Sequence, residues 1–231
     1  MKVDIGIIGA LADEVEGLIS NLEEHSCDTV GRIIFHTGKL LGKSVAVALC
    51  GVGKVFASIC AEAMIIKYSP SLIINTGVGG ALSGTLKPLD TVVADRLCQH
   101  DMDTSALGDP KGLISGINKI YFQSDARAVE ILRRSAEALS LPATVGTVAS
   151  GDRFIADRIE KNRIVSDFGA IACEMEGAAI AQTAYVNGIP FAVIRAISDS
   201  ADGGADMDYT SFLPVAAKNS AALTLELIKS Y

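Results

Sequence analysis

The sequence predicts a single α/β domain over residues 1–231, a three-layer αβα sandwich around a central mixed, mostly parallel sheet. Short β-branched runs alternate with amphipathic helical stretches from end to end, the pattern of a sheet covered on both faces. Several of those runs end in glycine or acidic residues, where the carboxyl ends of parallel strands open into a crevice. No internal repeat, low-complexity tract or linker divides the chain.

Val3–Ile8 reads as a buried first strand ended by Gly9 and Ala10, and Asp13 to Leu22 as an amphipathic helix with Val15, Leu18, Ile19 and Leu22 on one face. Arg32–Gly38 and Lys43–Cys50 read as two strands around a Leu40-Leu41-Gly42 turn. That early hairpin argues against a simple (β/α)8 barrel. A G-V-G-K turn at Gly51–Lys54 opens the helix Val55–Tyr68. The strand Ser71–Thr76 then runs into Gly77, Gly79 and Gly80, where backbone passes close to a ligand or takes positive φ. Thr91–Asp95 is a strand, and Cys98–Gly116 is a polar stretch long enough for a lid or an interface piece. Ser124–Leu139 is helical, Ala143–Ala149 a strand, Asp157–Ser166 a short charged helix and Gly169–Cys173 a strand. The helix Ala178–Asn187 closes at Gly188, the strand begun by Pro190 carries Arg195, Ala201–Asp208 is a loop, and Tyr209 to Lys229 is the final helix.

Composition narrows the function. Nearly half the residues are apolar, the net charge is −7, and no segment concentrates Lys and Arg, so nucleic acid and anionic membranes are poor partners. No apolar run reaches the roughly 18 residues of a membrane span, and Asp4 interrupts any secretory signal core. The five cysteines are scattered and odd in number, in apolar contexts, which points to buried free thiols in a reducing, cytoplasmic setting.

The chemistry-bearing stretch is Ala172–Gly177, A-C-E-M-E-G, read with Arg195–Asp199, R-A-I-S-D. Glu174 and Glu176 are either solvated turn residues or site carboxylates, and the strand end at Ser198-Asp199 faces the same crevice. Glu14, directly after the first strand, is either an ordinary first-turn acid or a third site carboxylate. Phe154 follows a Ser150-Gly151 turn and either stacks on a flat ligand or plugs the core. His100 has no second His or Cys at ligand spacing, so a hydrogen-bonded structural role is expected, and no metal or cofactor is called for.

The motifs G-I-I-G-A-x-x-x-E-V at Gly6–Val15, G-V-G-K-V at Gly51–Val55, I-I-N-T-G at Ile73–Gly77, S-G-D-x-F-I at Ser150–Ile155, E-M-E at Glu174–Glu176 and R-A-I-S-D occur in that order. Together, over essentially the whole chain, they resemble the 5′-methylthioadenosine/S-adenosylhomocysteine nucleosidases of the nucleoside phosphorylase-like superfamily. The resemblance implies hydrolysis of the N-glycosidic bond of a 5′-substituted adenosine, without cofactor or metal. It implies that Asp199, oriented by Ser198, protonates adenine N7, that Glu14 activates water with Arg195 helping to place it, and that Glu176 binds the ribose hydroxyls. Met175 packs on the ribose, Phe154 stacks on adenine and the Ile155 backbone reads the base edge. Val52, Val78, Gly79, Gly80 and Glu174 line the pocket, and Tyr209 covers the 5′ end. Leu107 is implied to reach a partner subunit's site, which makes a homodimer the expected form.

Related phosphorylases hold phosphate with arginines; one of those positions is Asn75 here, and Gly9–Asp13 contains no Lys or Arg. Water is therefore the expected nucleophile. Several relatives carry Ser at the position of Val78, where a hydroxyl helps to order that water; without it the task falls to Glu14 and Arg195. The alternatives are aminodeoxyfutalosine or another 5′-modified nucleoside as substrate, a purine nucleoside phosphorylase, and a binding protein without turnover. Retention of Glu14, Glu176 and Asp199 argues against the last.

Overall fold

Runs of β-branched residues too apolar to face water make the strands of this protein, and helices with one apolar stripe cover them. The structure, a computed structural model, describes residues 2–231; Met1, part of the N-terminal run read from the sequence, lies outside the described residues. β1 (Ile5–Gly9), β5 (Leu72–Ala81) and β10 (Phe191–Asp199) are buried along almost their whole length, and β4 (Lys43–Leu49) is buried over Val45–Ala48. They pair in the parallel order β4–β1–β5–β10. β6 (Thr91–Gln99) lies antiparallel to β10 and parallel to β8 (Ala143–Ser150), which runs parallel to β9 (Ala172–Glu174). Because β9 returns to pair antiparallel with β5, strands β5, β10, β6, β8 and β9 close into a ring at one end of the sheet.

At the other end, β2 (Glu23–Val30), β3 (Ile33–Leu40) and β4 form an antiparallel meander. β7 (Phe122–Gln123) pairs antiparallel with β6. The sheet is mixed, because these local pairings stand beside the parallel core that carries the site. On one face α2 (Lys54–Tyr68) and α5 (Gly177–Val186) share a core with Phe35, Ile73 and Val193. On the other, α1 (Ala12–Ile19), α3 (Ala126–Ala138) and α6 (Ala205–Ser230) pack on Ile7, Val47 and Ile194, completing the three layers. α4 (Arg158–Phe168), capped by Asp157 through the amides of Ile159 and Glu160, closes a smaller cluster beside β8 and β9.

Several expectations need correction. β2 has no counterpart among the strands read from the sequence: all eight of its residues are exposed, so no apolar alternation marks it. β5 does not stop at Thr76. Gly77, Gly79 and Gly80 continue the strand, and none of them takes positive φ. The segment 205–208, read as loop, is the first turn of α6. His100 is buried and packed over Gly151, yet neither of its ring nitrogens has a hydrogen-bond partner among the described residues. Cys27 is exposed, whereas Cys50, Cys60, Cys98 and Cys173 are buried free thiols.

Candidate active site

Loops and strand ends meet around a cleft where the parallel strands finish. Glu14, Glu176 and Asp199 all line it and are all buried, as is Glu174, so the solvated-turn reading is excluded for Glu174 and Glu176. Val52, Val78, Gly79, Gly80, Phe154, Ile155, Glu174, Met175, Ser198 and Tyr209 line the same cleft. Sequence reasoning missed Ala10, Leu11, Arg153 and Cys173 as lining residues; each adjoins a motif residue in the chain, the one signal that marks them.

Glu14 sits at the start of α1, and its carboxylate is fixed by backbone. Oε2 accepts from the amides of Ala10 (2.7 Å) and Leu11 (3.0 Å), and Oε1 from Val78 (3.1 Å). Burial raises its pKa, against the opposing pull of the Arg195 charge and these amides. The missing side chains of β5 make this placement possible. A Cβ on Gly77 would lie 2.5 Å from Glu14 Oε1, and one on Gly80 would lie 2.8 Å from Asp199 Oδ1. The glycines thus admit two carboxylates against the backbone, and positive φ has no part in it.

Glu174 and Glu176 stand two apart and do different work. Glu174 accepts from Ser150 Oγ, from the amides of Glu176 (3.0 Å) and Gly177 (2.7 Å), and from Arg195. Those amides are the free N–H groups at the start of α5, whose dipole favours a negative charge. Burial opposes ionisation of Glu174, but Arg195 and these donors outweigh it and hold the carboxyl ionised. Glu174 therefore lines the cleft with its oxygens already hydrogen-bonded within the protein.

Arg195 lies deeper. It is buried, it is not part of the cleft wall, and it donates to Glu174, to Asn75 Oδ1 and to the Ile194 carbonyl (2.8 Å). Asn75 is itself anchored to the Ile8 carbonyl at 2.9 Å. Arg195 thus stands behind Glu174, outside the cleft lining.

Glu176 keeps one oxygen for the cleft. Oε1 accepts from the Gly53 amide at 2.8 Å, and burial together with the neighbouring Glu174 charge pushes its pKa up to about 7. A carboxyl raised in the folded state stabilises the protein at low pH, and that contribution is lost as pH rises through about 7. Relative to an ordinary value of 4.5, the ionised group costs the empty protein up to about 3 kcal/mol at alkaline pH. Glu176→Gln is therefore expected to match wild-type stability near pH 4 and to exceed it by ~1–3 kcal/mol at pH 8. Urea midpoints at the two pH values measure this; equal gaps at both would refute a strained carboxylate at this position.

The G-V-G-K turn does not await a phosphate. The Gly53 amide serves Glu176, the Lys54 amide serves Asp152 (2.7 Å), and Lys54 Nζ is held by Asp101 (2.6 Å) and Gln99 (3.0 Å). Gly53 is needed for its φ of +102°, which few side chains tolerate.

Asp199 ends β10. Its Oδ2 accepts from Ser198 Oγ (2.8 Å) and its Oδ1 from the Ala201 amide (2.9 Å). Ala201 adopts a left-handed φ of +49° to make that contact, a local strain of about 1 kcal/mol. Burial raises the Asp199 pKa, with Asp208 adding to the effect. Phe154 is half exposed in the cleft wall and meets Tyr209 edge to face, ring centres 5.6 Å apart. It is not a core plug. Leu107 does not line the cleft; it is 84 % exposed on a helical turn at Ser105–Leu107.

The arrangement is a cleft with four buried carboxyls, three of them pushed toward neutrality with burial as the largest cause, and an aromatic wall. It suits protonating one atom, stabilising a cation and activating water, and it repels a phosphate dianion.

The chain matches the Phosphorylase superfamily over residues 4–229. It is 39 % identical over 225 residues to a 5′-methylthioadenosine/S-adenosylhomocysteine nucleosidase of Haemophilus influenzae strain PittEE, covering 97 % of this chain and 98 % of that protein. The nucleosidase of Neisseria meningitidis in complex with methylthio-immucillin-A superposes with a TM-score of 0.96 at 36 % identity, covering 99 % of each chain. A futalosine hydrolase of Helicobacter pylori strain 26695 superposes with a TM-score of 0.94 at 32 % identity, covering 99 % of this chain and 98 % of that one.

Proposed function

The chain belongs to the phosphorylase superfamily and, within it, to the 5′-methylthioadenosine/S-adenosylhomocysteine nucleosidases; from that premise we propose how its own residues carry out the family's reaction. The enzyme cleaves the N-glycosidic bond of 5′-methylthioadenosine, S-adenosylhomocysteine and related 5′-substituted adenosines, giving adenine and a 5-substituted ribose. Water is the nucleophile. The observation that carries this is Glu14: a buried carboxylate held by three backbone amides occupies the floor of the cleft, where an attacking phosphate would need cations.

In the proposed course, Asp199 gives a proton to the departing purine, and the burial that raises its pKa favours the proton-bearing form. The bond between the anomeric carbon and the base nitrogen breaks, its electron pair goes to the base, and positive charge develops on the sugar. Glu176 accepts hydrogen bonds from the ribose hydroxyls, and its charge stabilises that cation. Glu14 takes a proton from the water whose oxygen bonds to the anomeric carbon. The Val78 amide, not a side-chain hydroxyl, orients Glu14 from the β5 side. Phe154 and Tyr209 form the aromatic wall for adenine and the 5′ substituent, with Met175 under the ribose.

The same reading includes a single catalytic domain, a homodimer, a cytoplasmic location and a place in methionine salvage. A dimer is supported by the exposed apolar side chains Val55, Phe56, Ile59 and Ile66 of α2, which starts at the turn bearing Val52, and by the exposure of Leu107. Four buried free thiols fit a reducing compartment. Among the described residues no helix is long and apolar enough to cross a membrane.

One assay tests the proposal: release of free base from methylthioadenosine, adenosylhomocysteine, deoxyadenosine and inosine, with and without phosphate. Adenine should appear from the first two at rates indifferent to phosphate, with a free sugar as co-product. Strict phosphate dependence, with a sugar phosphate formed, would establish a phosphorylase instead. The likeness to a futalosine hydrolase supports a nucleoside of the futalosine type, such as aminodeoxyfutalosine, as a second substrate, and release of free base from it, added as a fifth nucleoside, tests that reading.

A further inference from the structure

The exposed hairpin β2–β3 carries a cluster unconnected with the cleft. His25 and Cys27 on β2 and His36 on β3 bring one donor atom each to a single point. His25 Nε2 lies 2.9 Å from His36 Nδ1, and Cys27 Sγ lies 3.5 Å from the first and 3.4 Å from the second. Cys27 and His36 are direct cross-strand partners. His25 is brought onto them by an irregularity between Glu23 and Ser26, where the register shifts and Glu24 takes a left-handed φ of +52°. A bulge of that kind re-aims a side chain at a sheet edge, and a non-glycine residue adopts this backbone only at a cost.

We propose that His25, Cys27 and His36 form a binding site for a thiophilic divalent transition metal, with Zn²⁺ as the ion it fits best. A tetrahedral zinc with ordinary bond lengths separates two nitrogen ligands by roughly 3.3 Å and a nitrogen from a sulfur by roughly 3.6 Å. The cluster matches both to within about half an ångström, so closing on the ion needs small side-chain adjustments and no backbone movement. Imidazole and thiolate ligands together select Zn²⁺ over Mg²⁺ or Ca²⁺. With three protein ligands, water takes the fourth position. Binding removes the thiol proton of Cys27 to solvent, so affinity falls as pH falls.

The site also gives the metal a structural task. β2 is the outermost strand of the sheet, entirely exposed, and an open edge is prone to fraying and to pairing with other chains. A metal bridging two residues of β2 to one of β3 clips that edge in place.

Cobalt titration of untagged, chelator-treated enzyme tests the site. One Co²⁺ per chain should bind with a sulfur-to-cobalt charge-transfer band that Zn²⁺ abolishes. The other four cysteines are buried, so the band reports Cys27. Cys27→Ser should lose the band, and His25→Ala and His36→Ala should each weaken binding by about tenfold or more. All three variants should hydrolyse nucleoside at the native rate, which verifies folding. Zn²⁺ should also slow amide exchange in β2 and β3 selectively. The proposal is overturned if Co²⁺ binds without the thiolate band, if the band survives in Cys27→Ser, or if both histidine variants bind as wild type does.

Discussion

Asp199→Asn is expected to lower the hydrolytic rate by about 10²–10⁴-fold while leaving adenine binding intact. The substitution is nearly isosteric, and its surroundings tolerate it. The amide oxygen takes the place of Oδ1 and still accepts from the Ala201 amide, while the amide nitrogen replaces Oδ2 and faces the Ser198 hydroxyl, which rotates to accept. Fold and pocket shape therefore persist. What disappears is a transferable proton: an amide can hydrogen-bond a purine nitrogen but cannot protonate it, so the base must leave as an anion. The loss should fall on kcat, with the dissociation constant for adenine little changed. Burial raises the Asp199 pKa, so in wild type the rate falls on the alkaline side as the carboxyl ionises, and that limb should be absent from the variant's residual activity. A native rate in Asp199→Asn would mean that another group supplies the proton.

The sequence made the carboxylates legible because each sits at a change of periodicity. Glu14 follows a β-branched strand, Glu176 precedes an Ala-rich helix, and Asp199 ends an apolar strand. Strand ends of a parallel sheet converge, so residues distant in the chain could be assigned to one crevice. What stayed hidden was which side chains face the cleft and which support those that do. Arg195 and Glu174 occupy motif positions as conspicuous as Asp199, yet they bury their charges against each other, Glu174 in the cleft wall and Arg195 behind it. Nothing in a linear pattern separates a group that faces the substrate from a group that holds it. β2 was illegible for a different reason. Strand signals depend on an apolar face, and β2 has none: its pairing rests on backbone hydrogen bonds to β3. The cluster of His25, Cys27 and His36 was hidden with it, since a cross-strand pair becomes visible only once the register is known.

Glu14→Gln should cost about as much activity as Asp199→Asn, but by a route that also disturbs structure. Loss of a general base alone accounts for about 10²–10⁴-fold in rate. Geometry adds to this. Both carboxylate oxygens receive backbone N–H groups, two on Oε2 and one on Oε1. An amide satisfies one set only. With its oxygen toward Ala10 and Leu11, its nitrogen meets the Val78 amide, donor against donor, at a site where Gly77 leaves no slack. The side chain must turn, or the start of α1 must shift, and the water loses its fixed partner. Glu14→Gln should therefore fall in both kcat and thermal stability, and the stability loss should be about 1–3 kcal/mol, the cost of one unsatisfied buried donor. Asp199→Asn, whose serine neighbour can adapt, should show little stability loss. Measuring the two variants side by side distinguishes a base locked by backbone from an acid held by a rotatable hydroxyl. Equal stability of the two would mean that the amide cradle around Glu14 is more yielding than its hydrogen bonds imply.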